Sequence, residues 1–106
     1  MKILLTGHSG FIGGWLCAAA VKNGHELTCI DRNPASENPL LDQLNVKKMQ
    51  FTEYNTCLRD LEHVAELIDR TQPQIIIHAA AQALIPVAFR APYETFLDNS
   101  LSTLNI

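Results

Sequence analysis

The chain has 106 residues, 47% of them apolar, and carries 8 Lys and Arg against 11 Asp and Glu, a net charge of −3. These figures describe one globular domain, exclude intrinsic disorder, and argue against a surface built to attract a nucleic-acid backbone. No apolar run is long enough to span a membrane, and the three apolar residues after Lys2 are too few for a secretory leader.

Lys2 to Thr6 is a short apolar run closed by Gly7 and reads as a buried strand. Phe11 to Asn23 reads as a helix with Ile12, Leu16, Ala19 and Ala20 on its inner stripe and Gly24 as its stop. Glu26 to Asp31 is rich in β-formers and reads as a second strand. Arg32 to Asn45, with two prolines and several Asn and Ser, reads as a loop with a helical turn around Leu40–Leu44. Lys48 to Tyr54 is a further strand. Leu58 to Arg70 repeats apolar residues at Leu58, Leu61, Val64 or Ala65, and Ile68, the helical period, and Pro73 follows it closely. Gln74 to Ala79 holds Ile75, Ile76 and Ile77, a run suited to a strand buried on both faces. A loop with Pro86 then leads to a last helix, Tyr93 to Ile106, with Phe96, Leu97, Leu101 and Leu104 apolar.

Alternation of strands and helices at this spacing implies parallel strands joined by helical crossovers. The expected fold is α/β: a Rossmann-type doubly wound parallel sheet in the order 3-2-1-4, in three α/β/α layers, as a single domain over residues 1–106. That is the first half of such a sheet plus the fourth strand.

The most informative stretch is Gly7-His8-Ser9-Gly10-Phe11-Ile12-Gly13, a G-x-x-G-x-x-G between a strand and a helix. Gly7 permits the tight turn. Gly10, lacking a Cβ, lets a pyrophosphate approach the backbone amides at the helix start, where the helix dipole also favours an anion. Gly13 lets the helix pack closely on the strand. Asp31 lies 18 residues past Gly13, at the end of the second strand, where a carboxylate can accept hydrogen bonds from an adenosine ribose. The constellation points to a dinucleotide. Two readings stand for Arg32: a ligand for the 2′-phosphate of NADP, or a solvated loop charge. Asp31 repels that phosphate, so NAD is the favoured cofactor, with NADP as the alternative.

These residues resemble the NAD-dependent epimerase/dehydratase family of the extended short-chain dehydrogenase/reductase superfamily, whose members act on nucleotide sugars. Thr6-Gly7-x-x-Gly10-Phe11-Ile12-Gly13 resembles the family's T-G-x-x-G-F-I-G, Ile77-His78-Ala79-Ala80-Ala81-Gln82 its I-H-x-A-A-Q, and Pro92 through Asn105 its P-x-x-x-x-x-x-N-x-x-G-T-x-N. Gln82 with Pro86 and Phe89 is closer to the 4,6-dehydratases than to the galactose epimerases. The resemblance implies that Gly7, Gly10, Phe11, Ile12 and Gly13 line a pyrophosphate and that Asp31 and Arg32 line the adenosine ribose. It places Leu58 beside the adenine, Ala79, Ala80, Ala81 and Gln82 beside the nicotinamide ribose, and Asn99 on the helix beside the active site. Cys57 stands where the family has an Asp for the adenine amino group, and Ser102 where it has the Gly of its G-T pair.

Such enzymes resemble one another in a catalytic Tyr-x-x-x-Lys, the Tyr acting as general acid/base. Here Tyr54 and Tyr93 are followed four residues later by Leu58 and Leu97, so no catalytic residue is assigned. The expected chain is the amino-terminal part of a longer enzyme that takes a nucleotide sugar as substrate and a dinucleotide as cofactor, without turnover of its own. The strand at Ile75–Ile77 is then an exposed sheet edge, open to self-association. A non-catalytic NAD(P)-binding or scaffold module on the same half-fold is the alternative. A fragment that folds poorly and binds nothing is the third reading.

Smaller signals have structural explanations. His78 is expected to be a buried, hydrogen-bonded strut rather than a base. His8 either touches phosphate or is a solvated turn residue, and His25 and His63 are surface residues. Trp15 is expected in the core. Cys17, Cys29 and Cys57 have no paired spacing, which suits neither a disulfide framework nor a zinc site, and a reducing cytoplasm is the expected compartment. Residues 51–106 hold 3 basic and 7 acidic side chains, and Glu62, Glu66 and Asp69 form a solvated helix face. The Lys47-Lys48 pair is too short to mark nucleic-acid binding.

Overall fold

The computed structural model describes residues 1–46 and 50–106. Four parallel strands, β1 (Lys2–Thr6), β2 (Glu26–Asp31), β3 (Thr52–Asn55) and β4 (Ile75–His78), lie in the expected order β3-β2-β1-β4. Thr6 stands opposite Ile30 on one side and His78 on the other, so three strands end in one line. The chain adds β2 and β3 on one side of β1, then crosses to place β4 on the other. Such a reversal leaves a crevice beyond the strands' carboxyl ends.

The pleat of β1 builds two cores. Ile3 and Leu5 pack with Cys17, Ala18 and Ala20 of helix α1 (Phe11–Lys22), while Leu4 faces Val64 and Leu67 of helix α3 (Leu61–Thr71) on the opposite face. Leu41 of the short helix α2 (Pro39–Gln43) joins the first core. Helices thus cover both faces, giving the three α/β/α layers.

Several elements differ from the periodicity reading. The buried face of α1 is Gly13, Gly14, Cys17, Ala18 and Ala20, whereas Ile12 is 67% exposed. This helix is apolar on most sides, so periodicity cannot choose its inner face; close approach to β1 chooses the smallest residues. Trp15 is consequently turned outward, 48% exposed rather than core. Helix α3 begins at Leu61, not Leu58, because the Asp60 side chain caps it by accepting from the His63 amide at 3.1 Å. Its inner residues are Val64 and Leu67, and Leu61 is exposed. It stops at Gln72, which adopts a left-handed conformation (φ 46°) just before Pro73.

Strand β3 starts at Thr52; Lys47 and Lys48, the basic pair and the expected start of this strand, lie outside the described residues. The segment expected as a loop around Pro86 is helix α4 (Ile85–Arg90), with its proline in the first turn, where no backbone N–H is required. Then α5 (Pro92–Phe96), a π-helical turn (Leu97–Leu101) and α6 (Ser102–Asn105) run on with helical backbone throughout. The Asn105 side chain donates to the Leu58 carbonyl at 2.9 Å, tying α6 to the turn before α3. Strand β4 pairs only with β1 among the described residues, and Ile75 and Ile76 are exposed there. No helix among the described residues is long and apolar enough to cross a membrane.

Candidate functional site

A cleft of about 330 Å³ opens where β1, β2 and β4 end. Gly7, Ser9 and Gly10 form its floor. Asp31, Arg32 and Asn33 after β2 form one wall, with Cys57 and Leu58 after β3. Ala79, Ala80, Ala81 and Gln82 after β4 form the other, and Asp98 and Ser102 complete the lining.

The glycines are where backbone crowding demands them. Gly7 has φ +78°, and a Cβ there would lie 2.6 Å from the Ala80 amide nitrogen, so the loops after β1 and β4 are in direct backbone contact. A Cβ on Gly13 would lie 1.9 Å from the Gly7 carbonyl oxygen, which shows how closely α1 is pressed onto the turn. Gly10 is different. A Cβ there would meet only the Gly7 oxygen, at 3.3 Å, leaving open space on the cleft side of the helix start. That is the arrangement an anion needs to reach helix N-terminal amides.

Side chains from later in the chain hold this loop. Ser9 donates its amide (3.0 Å) and hydroxyl (2.7 Å) to one oxygen of Asp31, while the Asn33 amide donates to the other at 3.1 Å. Asp31 is therefore both loop anchor and cleft wall. A carboxylate offers about four acceptor positions, so these three bonds leave room for a further donor such as a hydroxyl. Asn38 donates through its side-chain amide to the His8 and Gly10 carbonyls, both at 3.1 Å. His8 is fully buried, with Nε2 2.7 Å from Glu53 Oε1, and lies outside the cleft lining. His8 is thus not a solvated turn residue and does not line the cleft, because Glu53 on β3 draws the ring inward.

At the other end, His78 Nδ1 lies 2.7 Å from Thr6 Oγ1 and its Nε2 lies 3.2 Å from Thr103 Oγ1. Partial burial lowers the imidazole pKa, which favours the neutral ring at pH 7. His78 is hydrogen-bonded on both ring nitrogens as expected, but only half-buried. The Ala80 amide donates to the same Thr6 hydroxyl at 3.3 Å, fixing the loop after β4. Asn99 accepts from the Gln82 amide at 2.7 Å and donates to its carbonyl at 3.0 Å, so it holds Gln82 without itself lining the cleft.

Of the residues anticipated for the site, Gly7, Gly10, Asp31, Arg32, Leu58 and Ala79 through Gln82 converge on the cleft. Phe11, Ile12 and Gly13 stand in the first turn of α1, outside the lining, and the Phe11 and Ile12 side chains are 77% and 67% exposed. Ser9, Asn33 and Asp98 line the cleft without having been anticipated. Ser9 sits inside the glycine pattern and could have been suspected. Asn33 and Asp98 carry no sequence signal. Tyr54 lies under the Arg70 guanidinium (4.9 Å to the ring centre) and Tyr93 is exposed; neither lines the cleft.

With this geometry in view, comparison with known proteins is decisive. The model of the NAD dependent epimerase/dehydratase family matches residues 3–106. The chain belongs to that family. It is 28% identical over 109 residues to a UDP-glucose 4-epimerase of Klebsiella pneumoniae, covering 100% of this chain and 77% of that protein. It is 25% identical to the CDP-glucose 4,6-dehydratase of Salmonella typhimurium, covering 99% of this chain but 29% of the relative. Among solved structures, the UDP-glucose 4-epimerase of Thermus thermophilus in complex with NAD superposes with a TM-score of 0.83 at 30% identity, covering 99% of this chain and 32% of that one. This chain thus spans less than a third of the last two, matching their amino-terminal portion.

Proposed function

We propose that this chain is the NAD-binding portion of a nucleotide-sugar epimerase or dehydratase. The observation that carries the reading is the cleft at the reversal between β1 and β4, with the bare Gly10 backbone on one side and Asp31 on the other. Gly10 and the amides of Phe11, Ile12 and Gly13 at the open end of α1 take the pyrophosphate, where the helix dipole assists. Asp31 accepts from the adenosine ribose, with Arg32 beside it. Leu58 supplies an apolar wall for the adenine; Cys57, exposed beside it, has no carboxylate to offer the amino group. Ala79, Ala80, Ala81 and Gln82 border the nicotinamide ribose, and Asn99 positions Gln82. Bound NAD supplies a hydride acceptor for the sugar C4 carbon. The described residues bind and orient, and Tyr54 and Tyr93 offer no base to the cleft. The nucleotide sugar is the substrate class that the family membership supports.

Calorimetric titration of NAD into the purified chain tests the reading. Saturable binding by the wild type and loss of at least tenfold in affinity for Gly10→Val are expected, because a branched side chain would stand in the anion's place. Equal affinity of the two proteins would remove the phosphate assignment.

A further inference from the structure

Besides Asp31, a second acid, Asp98, lines the cleft. Arg32, exposed at the end of β2, meets Asp98 from the π-helical turn in a two-pronged contact, with Nη2–Oδ2 at 3.2 Å and Nη1–Oδ1 at 3.4 Å. Arg59, from the turn before α3, also reaches Asp98, with Nε donating to Oδ1 at 2.9 Å. Arg59 is itself fastened by the Glu94 carboxylate at 2.8 Å and the Glu94 carbonyl at 3.0 Å. Asp98 and Arg32 both line the cleft, and Arg32 is the only cationic residue in that lining among the described residues.

We infer that Asp98 determines which dinucleotide the cleft accepts, by engaging Arg32 and so denying its guanidinium to a 2′-phosphate. The inference rests on the reading of this cleft as a dinucleotide site. A 2′-phosphate beside Asp31 meets a like charge and needs a cation in return; Arg32 is the cation in reach, and its charge is already offset. The two partners are unequal in freedom. The Arg32 side chain is 57% exposed and can swing, whereas that of Asp98 is 15% exposed and pinned by Arg59. Asp98 therefore stays in place as a fixed competitor for Arg32, and a phosphate must displace a carboxylate that cannot follow it into water. The ribose hydroxyls of NAD require no cation and are unaffected by this competition.

The experiment is parallel titration of NAD and NADP into the wild type, Asp98→Asn, Arg32→Ala and the double variant. Asp98→Asn keeps the shape and removes the charge. It is expected to raise the ratio of NADP to NAD affinity roughly tenfold, the scale of one charge-assisted hydrogen bond. Adding Arg32→Ala to it should abolish that gain. Arg32→Ala alone should move the ratio less than twofold, since the guanidinium is already engaged; a fall of fivefold or more would show that Arg32 serves the phosphate in the wild type and would overturn the inference even if Asp98→Asn failed to fold. An unchanged ratio in folded Asp98→Asn, with NAD still bound, would overturn the role of Asp98 and leave the binding site standing. Failure of the wild type to bind either dinucleotide would instead remove the reading beneath it.

Discussion

Replacing Gly13 with Ala sets two effects of known sign against each other. Alanine is the better helix former by about 1 kcal/mol, and Gly13 lies inside α1, so propensity alone predicts stabilisation. Packing predicts the reverse. The new methyl would be placed 1.9 Å from the Gly7 oxygen, 2.5 Å from the Gly7 carbonyl carbon and 2.9 Å from the His8 Cα. All three are backbone atoms, so no side chain can rotate away, and α1 must lift from the turn by more than an ångström. Overpacking of this kind costs roughly 1–3 kcal/mol and more where the obstacle is rigid. Taking about 3 kcal/mol for the clash and subtracting the propensity gain leaves a net loss of about 2 kcal/mol. For a domain near this size that corresponds to a Tm lower by about 10 °C. Urea midpoints and thermal melts of Gly13→Ala against wild type measure it directly. A Tm equal to or above wild type would refute the argument that contact between α1 and the glycine turn, rather than turn conformation alone, requires glycine at this position.

Two further outcomes follow from other sites. Burial lowers the folded-state pKa of His78 below its ordinary value of 6.5, so the unfolded chain binds the proton more readily; the His78 contribution is fully present above pH 6.5 and is lost as pH falls through the folded value. Urea midpoints should therefore drop less steeply between pH 7 and pH 5 in His78→Asn than in wild type, and equal slopes would contradict the assignment. Cys17 and Cys29 are buried while Cys57 is exposed, and the Cys29 thiol is pushed up by its hydrogen bond with Cys17 and by burial. Iodoacetamide should consequently label one site per native chain, Cys57, and all three after unfolding, as mass spectrometry of the peptides would show.

Features of this fold that depend on neighbours in sequence were readable from sequence. The β1–turn–α1 unit is a contiguous run in which Gly7 answers a positive-φ turn and Gly13 the close approach of α1, and Asp31 falls at the end of the next strand. The parallel sheet follows from alternation, and its order from the Rossmann topology. What escaped depends on residues far apart. His8 is drawn inward by Glu53, 45 positions later, and nothing near His8 announces that partner. For Arg32 the sequence leaves a phosphate ligand and a solvated loop charge both open, because its partner Asp98 is 66 positions away. The expected inner stripe of α1 holds for Leu16 and Ala20 but not for Ile12 and Ala19, because apolar residues surround the helix and steric fit against β1 selects among them. Helix α4 was missed because Pro86 reads as a breaker unless it is known to stand in a first turn.

Asn38 has a consequence that reaches beyond its own neighbourhood. It is buried in the irregular link between β2 and β3, where its amide group spans two carbonyls of the glycine turn while its oxygen accepts from the Leu40 amide at the start of α2. One side chain thus couples the posture of the glycine turn to the course of the segment from Pro34 to Val46, which contributes no residue to the cleft lining. Insertions or deletions between Pro34 and Val46 would be felt at the glycine turn, the proposed diphosphate seat, as a mis-set hinge. On the proposed function, that segment is a place where affinity is adjustable without altering any group that lines the cleft.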